Sequence, residues 1–147
     1  MLIQRISPSD IPFVYDCLAT LRGDAQYDEI EFRRYIEIND LFNPGPFSIF
    51  VGREAGEQVG MLTSNRFSIP RYLGFGVDIE EVIVHPLYQG KGLAEKMLNG
   101  LIAILSLDMS IRKVVVKTDD LQRAGKVYER CFSVSDQMVY ARAINRL

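Results

Sequence analysis

The stretch Ile79-Glu80-Glu81-Val82-Ile83-Val84-His85-Pro86-Leu87-Tyr88-Gln89-Gly90-Lys91-Gly92-Leu93-Ala94 holds the residues whose types and spacing are best suited to chemistry. A β-branched run leads into a glycine-bearing turn, and the turn leads into a helical pattern. Gly90 and Gly92 carry no side chains to block close approach, so backbone N–H groups near Gln89–Ala94 can converge on a phosphate. The helix N-terminus adds favourable partial charge, and Lys91 adds a point charge. A plain strand-to-helix turn that uses glycine for geometry accounts for the same two glycines. Two phosphate-binding patterns fit poorly here. The string GxxxxGK followed by Ser or Thr is absent. A Rossmann turn would find Asp119 or Asp120 beyond the next strand, but Glu95 stands at its third glycine position. Too little chain remains after this turn to complete a dinucleotide fold.

Other reactive side chains are sparse. His85 is the one histidine, which excludes a metal site built on several histidines, and its place before Pro86 suits a turn residue rather than a base. Cys17 and Cys131 form no CxxC pair and have no histidine near them in sequence, so each reads as a small buried hydrophobe in a reducing compartment. Seventeen Lys and Arg against nineteen Asp and Glu leave a formal charge of −2, without the positive field that non-specific nucleic-acid binding needs. No basic stretch followed by an apolar run opens the chain, and no apolar run approaches the ~20 residues of a membrane span. The expectation is a soluble cytoplasmic protein. At 147 residues and 48% hydrophobic composition, residues 1–147 are expected to form one domain with a complete core.

The elements that must hold the turn follow from periodicity. Leu2–Ile6 alternates as a strand and meets Ser7-Pro8-Ser9-Asp10, a helix start. Ile11, Val14, Cys17, Leu18 and Leu21 recur at helical spacing as the buried stripe of a first helix. Glu29–Asn39 gives a second, with Ile30, Phe32, Tyr35, Ile36 and Ile38 on its apolar side. Asn43-Pro44-Gly45-Pro46 then breaks the helical signal. Strands follow at Phe47–Arg53, Gln58–Phe67 and Tyr72–Val84, with Glu54-Ala55-Gly56-Glu57 turning the first into the second and Ser68-Ile69-Pro70-Arg71 separating the second from the third. A helix is expected from about Gly92 to Leu107, a buried strand at Lys113–Lys117, a short helix at Gln122–Cys131 and a last strand at Ser133–Arg142. The order β-α-α-β-β-β-α-β-α-β predicts a mixed sheet covered by helices.

Val84–Ala94 resembles the acetyl-CoA-binding segment of the GNAT superfamily of N-acetyltransferases, whose hallmark is Gln or Arg, two residues, Gly, one residue, then Gly or Ala. Gln89, Gly92 and Ala94 fill those positions. Ala124 to Phe132 resembles a second family segment, with Ala124 and Tyr128 in register. Leu121 stands in place of that segment's usual Asn, and the Gly before Phe132 is missing. The resemblance implies an α/β fold of GNAT type, with a mixed central sheet of about six to seven strands and about four flanking helices.

It also implies roles. CoA would lie where Ile79–Val84 and Lys113–Lys117 splay apart, with its pantetheine arm on the backbone of Val82, Ile83 and Val84. Its pyrophosphate would sit on Gln89, Gly90, Lys91, Gly92, Leu93 and Ala94. A strand N–H can polarise the thioester carbonyl, and the acetyl group passes directly to an amine. The amine needs a base, for which Glu80 is the first choice and Glu81 the second. Adjacent on a strand, they point to opposite faces, and two polar positions at a strand edge would look the same. The pair resembles an acidic pair in aminosugar-phosphate N-acetyltransferases. Tyr128 would protonate the leaving thiolate; a half-buried helix aromatic is the structural alternative. The acceptor pocket maps to Arg22–Tyr35 with Arg66, Arg71 and Tyr72, where Asp24, Asp28, Glu29 and Glu31 suit an amine and Arg33, Arg34, Arg66 or Arg71 suit an anion. A solvated mixed-charge surface explains those residues equally. The expected partner is a small-molecule amine, with no nucleic acid, membrane or metal. Family members often pair, so a homodimer is implied without any sequence feature that establishes it. The departures at Leu121 and Cys131-Phe132 keep open a GNAT-fold module that binds CoA, or nothing, and transfers no acetyl group.

Overall fold

A computed structural model describes residues 1–118, 122 and 124–135. Strand β1 (Leu2–Arg5) leads to three helices, α1 (Ile11–Cys17), α2 (Ala19–Arg22) and α3 (Glu29–Ile38). Strands β2 (Phe47–Glu54), β3 (Glu57–Ile69) and β4 (Gly74–Val84) follow, then helix α4 (Leu93–Leu105), strand β5 (Ile111–Val116) and helix α5 (Gly125–Cys131). The described strands form one five-stranded sheet in the order β1-β2-β3-β4-β5, against the six to seven expected. The expected last strand lies largely outside the described residues, as do Leu121 and the Asp119 and Asp120 pair. All junctions are antiparallel except β4–β5, which is parallel and is bridged by α4.

The β2–β3 hairpin closes where the turn chemistry predicts. Glu54 pairs with Glu57, and Ala55 and Gly56 both take positive φ (50° and 84°), the geometry that matches a two-residue turn to strand twist. The next turn falls slightly later than expected. β3 runs on to Ile69, Pro70–Tyr72 makes a 3₁₀ turn, and β4 starts at Gly74.

Period-two alternation divides the core between the two sheet faces. Ile49, Val51 and Met61 face α1 and α3, where they meet Ile11, Val14, Cys17, Phe32 and Ile36. Phe50, Leu62 and Ile79 face α4 and its Met97, Leu98 and Leu101. A Cβ on Gly60 would come within 2.4 Å of the Ile83 carbonyl oxygen and 2.7 Å of the Met97 sulfur, so glycine lets α4 lie directly on the strand. The apolar stripes of the first helices are narrower than expected. Helix α1 ends at Cys17, and Leu21 on α2 is 57% exposed. On α3 only Phe32 and Ile36 are buried. Ile30 and Ile38, at 71% and 75% exposure, lie on the opposite face, because residues two apart on a helix diverge by about 200°.

Cys17 is buried, and burial with the neighbouring Asp16 charge pushes its thiol up to about 12, so it is an inert core residue. Cys131 is also free, and burial raises its thiol too. Among the described residues, no helix is long and apolar enough to cross a membrane.

One buried polar group ties the start of α1 to the hairpin. Asp10 accepts from the Ser7 N–H (2.9 Å) and Oγ (2.8 Å), the Arg53 guanidinium (2.5 Å) and the Gln58 amide (2.5 Å). Burial alone would raise its pKa, but these donors outweigh burial and hold the carboxyl below the usual aspartate range. Asp10→Asn is therefore expected to lose about 1–3 kcal/mol at neutral pH in urea unfolding. The difference from the native chain should shrink as pH falls below the ordinary aspartate range, since the stabilisation is present only while Asp10 is ionised.

Candidate active site

The site begins with an irregularity in β4. Ser64 pairs with Ile79 and Leu62 with Val82, so Thr63 alone on β3 faces both Glu80 and Glu81 on β4. This is a β-bulge, and it resets which way the strand faces. Ile79 and Val82 both pack toward α4, although regular alternation over three residues would place them on opposite faces. After the bulge, Val84 also faces α4, while Ile83 faces α1 and α3. Glu81, one residue before Val82, is thereby turned to the α1–α3 side.

The parallel partner is lost at the same place. Pairing between β4 and β5 runs from Phe75–Ile111 to Ile79–Val116 and stops. Beyond it, no strand among the described residues pairs with the outer edge of β4 from Glu80 to Val84, and Val82, Ile83 and Val84 are only half-buried. Lys117 pairs with Asp78 at 3.6 Å beside the fork.

Glu81 and Thr63 form the floor of a pocket of about 520 Å³. The Glu81 backbone N–H donates to Thr63 Oγ1 at 3.0 Å, and the Thr63 hydroxyl donates to the Glu81 carboxylate. Thr63 is buried and Glu81 half-buried, whereas Glu80 is exposed. Burial first, and the Glu80 charge second, raise the Glu81 carboxyl above the usual range. The walls are Leu18, Tyr27, Phe32, Phe47 and Ile49, with Arg22, Glu31 and Tyr35 also contributing. The segment Arg22–Tyr35 was expected here. Leu18, Leu21, Phe47, Ile49 and Thr63 were not, because an apolar residue facing a pocket has the same period as one facing the core. Arg66 lies elsewhere, bonded to Asp108 (2.9 Å) and Ser110 (2.7 Å) and stacked on Phe75. Arg71 stacks on Tyr72 outside the pocket lining. Asp24, Asp28, Glu29, Arg33 and Arg34 are also outside that lining.

Past β4, the expected turn forms. His85 Nδ1 accepts from the Leu87 N–H (3.3 Å), and its Nε2 meets Asp16 at 2.7 Å, which anchors the turn to α1. The Gln89 side chain donates to the Val84 carbonyl at 3.0 Å. Gly90 and Gly92 have φ of +80° and +69°, and a Cβ at either would meet nothing within 4 Å. Glycine is thus needed here for backbone conformation, while the space above the turn stays open. Gly92 is the N-cap of α4, whose first residues are Leu93 and Ala94. Lys91 is exposed, with its ammonium 5.8 Å from the Tyr88 ring centre. A glycine turn opening a helix has the backbone geometry that can receive an anion.

Tyr128 on α5 packs with Val82, Val84, Val114 and Val116 against the α4-side core, and its ring meets Phe132 edge-on. Burial raises its phenol pKa, so it is protonated at neutral pH. The helix ends at Phe132 in extended conformation, with its N–H donated to the Tyr128 carbonyl at 2.7 Å, so this ending needs no glycine. Among the described residues, no group of three or more His, Cys, Asp or Glu gathers as a metal site.

Residues 13–132 match the family model described as the acetyltransferase (GNAT) family. No curated protein matches the chain. Its fold is similar to that of a ribosomal-protein-alanine N-acetyltransferase from Brucella melitensis biovar Abortus 2308, at TM-score 0.78 and 18% identity over 98% of this chain and 99% of that one. It is also similar to an aminoglycoside acetyltransferase, meta-AAC0020, from an uncultured soil metagenomic sample, at TM-score 0.75 and 18% identity over 99% and 96%. A transcriptional regulator from Bacillus halodurans C-125 is similar at TM-score 0.78 and 16% identity over 97% and 99%. Likeness at these identities speaks for the fold alone.

The left-handed backbone at the turn has a direct consequence. Gly92→Ala should lower stability by about 1–2 kcal/mol in chemical unfolding, although the position is open to solvent. Lys91→Ala should stay within about 0.5 kcal/mol of the native chain.

Proposed function

This chain belongs to the GNAT family of acetyltransferases, and on that premise we propose that it transfers the acetyl group of acetyl-CoA directly to the amine of a small molecule bound over Glu81. The observation that carries this reading is the meeting of three features at the β4 bulge. A half-buried carboxylate forms the floor of a pocket, a strand edge unpartnered among the described residues lies beside it, and a glycine turn that can receive an anion follows at the strand's end.

The residues present fit the cosubstrate. No strand among the described residues pairs with the outer Glu80–Val84 edge, and we assign the backbone of Val82, Ile83 and Val84 to an amide-bearing arm, which would compete with Gln89 at the Val84 carbonyl. The positive-φ turn leaves the N–H groups of Gln89–Ala94 open to a pyrophosphate, with the α4 N-terminus behind them. Acetyl-CoA, when bound, supplies an activated acetyl carbonyl.

The chain's own residues then manage protons. Most alkyl amines are protonated at neutral pH and must lose a proton before they can attack. We assign that proton to the Glu81 carboxylate, ahead of Glu80, because Glu81 faces the pocket and Glu80 faces solvent. A base whose pKa is raised toward neutrality holds the proton more firmly while still ionising at working pH. Thr63 orients it through the two hydrogen bonds of the bulge. Tyr128, protonated and packed beneath the fork of β4 and β5, is assigned as proton donor to the leaving thiolate. A CoA-binding module without transferase activity remains the second reading. The α5 ending, formed without glycine, removes one of its two motives.

Calorimetry should detect acetyl-CoA binding, and thiol release should appear with members of an amine panel. Absence of acetyl-CoA binding would refute the proposal. Binding without turnover for every amine would favour the second reading. Glu81→Gln should lower kcat by about 10²–10⁴-fold with acetyl-CoA affinity retained, and Tyr128→Phe should also slow the chemical step. Glu80→Gln should be the milder carboxylate variant.

The pH profile gives a second check. Glu81 acts only when ionised, so the acid limb of kcat/KM should fall above the ordinary glutamate range. In Glu80→Gln the limb should move to lower pH, because one of the two causes that raise the Glu81 pKa is gone.

A further inference from the structure

The pocket carries more information than the presence of a base. Its volume of about 520 Å³ suits a molecule larger than a simple alkylamine. The walls are mainly aromatic and aliphatic, with Tyr27, Phe32 and Phe47 supplying rings and Leu18 and Ile49 filling between them. The rings are fixed before any ligand arrives. Tyr15 donates its hydroxyl to the Tyr27 carbonyl at 2.9 Å, and the Tyr15, Tyr27 and Phe32 ring centres lie 5.9–6.3 Å apart.

Among the described residues, three charged side chains reach this volume: Glu81, Glu31 and Arg22. Arg22 is committed to the wall. Its guanidinium donates to the Tyr15 carbonyl at 2.5 Å and lies 4.0 Å from the Tyr15 ring centre and 5.5 Å from that of Tyr27. Glu31 is held by the Asp28 capping box, with its carboxylate accepting the Asp28 N–H at 2.9 Å. Two carboxylates thus face the ligand, against one cation already engaged by rings and a carbonyl.

We propose that the acceptor is a primary amine on an uncharged aromatic or apolar body, without a carboxylate or phosphate. The ammonium end is drawn to Glu81 and the ring-lined walls take the body. Aromatic faces favour a cation near them as well. An anionic group on the same molecule would sit beside two carboxylates, with only Arg22, among the described residues, to offset it. The proposal rests on the acetyl-transfer reading for what is done to the amine, but the binding preference is independent of turnover.

The test compares ligands with one body and different charge. Calorimetry on the full chain is run with 2-phenylethylamine, phenylalanine and ethylamine. The expected result is 2-phenylethylamine binding at least about tenfold more tightly than either of the others, with a loss of about tenfold in Glu81→Gln. A proton-coupled structural role for Glu81 alone would leave that affinity unchanged and count against the proposal. Phenylalanine binding as tightly as 2-phenylethylamine, with the advantage of its carboxylate lost in Arg22→Gln, would overturn it. If 2-phenylethylamine shows the expected preference but no amine is acetylated, the acceptor class stands and the acetyl-transfer reading falls. If some other amine is acetylated while 2-phenylethylamine binds no better than phenylalanine, the acceptor class falls and the transfer reading stands.

Discussion

The bulge that sets Thr63 opposite both Glu80 and Glu81 is the constraint on which the site depends. A strand with regular alternation from Ile79 to Val84 would present Val82 to the α1–α3 face and Glu81 to the α4 face. That arrangement would put a carboxylate into the cluster of Leu62, Met97 and Leu98, where nothing is present to pair with it. One extra residue reverses this. Val82 and Val84 join the apolar face, and Glu81 reaches the pocket on the other face. Thr63 suits the place opposite the bulge because its hydroxyl both accepts the Glu81 N–H and donates to its carboxylate. A bulge N–H would otherwise be left without a ladder partner, so the same side chain satisfies the backbone and orients the acid.

The fork between β4 and β5 completes the arrangement. β5 keeps pairing only to Val116, at Ile79, one residue before the bulge begins. An unpaired strand edge inside a protein is normally a liability, because each bare N–H and C=O needs a partner. Here the bare edge lies at an opening between strand ends, where a ligand's amide groups can supply the missing partners. Ligands in open α/β sheets commonly bind beyond the carboxyl ends of strands, and β4 runs straight from this edge into the glycine turn and the N-terminus of α4. The open edge and the pocket beside Glu81 are therefore built on one strand.

Much of the fold was legible in the sequence, because its signals are local and repeated. The β2–β3 hairpin, the strand–turn–helix unit at Val84–Ala94 and the positions of α3, α4 and β5 follow from period, turn chemistry and capping. Asp28 and Glu31 form a capping box of the kind that pattern predicts. Of the two readings of the turn's glycines, backbone geometry is visible as positive φ at Gly90 and Gly92, and the space above them is open. Two things were not legible. The bulge leaves no mark in Ile79-Glu80-Glu81-Val82, since alternation before and after it is intact and only the register with β3 reveals the extra residue. For the same reason Glu80 was placed ahead of Glu81 as the base, whereas the bulge turns Glu81 toward the pocket.

The second illegible feature is the sheet and α1–α2 side of the pocket, for only its Arg22–Tyr35 wall was expected, and the cause is general. Leu18, Leu21 and Ile49 carry the periodicity of core residues, and only the spacing between α1–α2, α3 and the sheet leaves a volume in front of them unfilled. Composition cannot distinguish an apolar wall from an apolar core. What can be read, once the volume is known, is its electrostatic sign. Charged residues near the pocket are mixed in sequence, with Arg22, Arg33 and Arg34 interleaved among Asp24, Asp28, Glu29 and Glu31. The fold then removes most of the positive candidates. Arg33 and Arg34 lie outside the lining, Arg66 is bonded to Asp108 and Ser110, and Arg22 is stacked on Tyr15. A pocket's preference follows from the charges that folding brings to its lining, not from those present in the chain, and among the described residues here these are two carboxylates against one arginine.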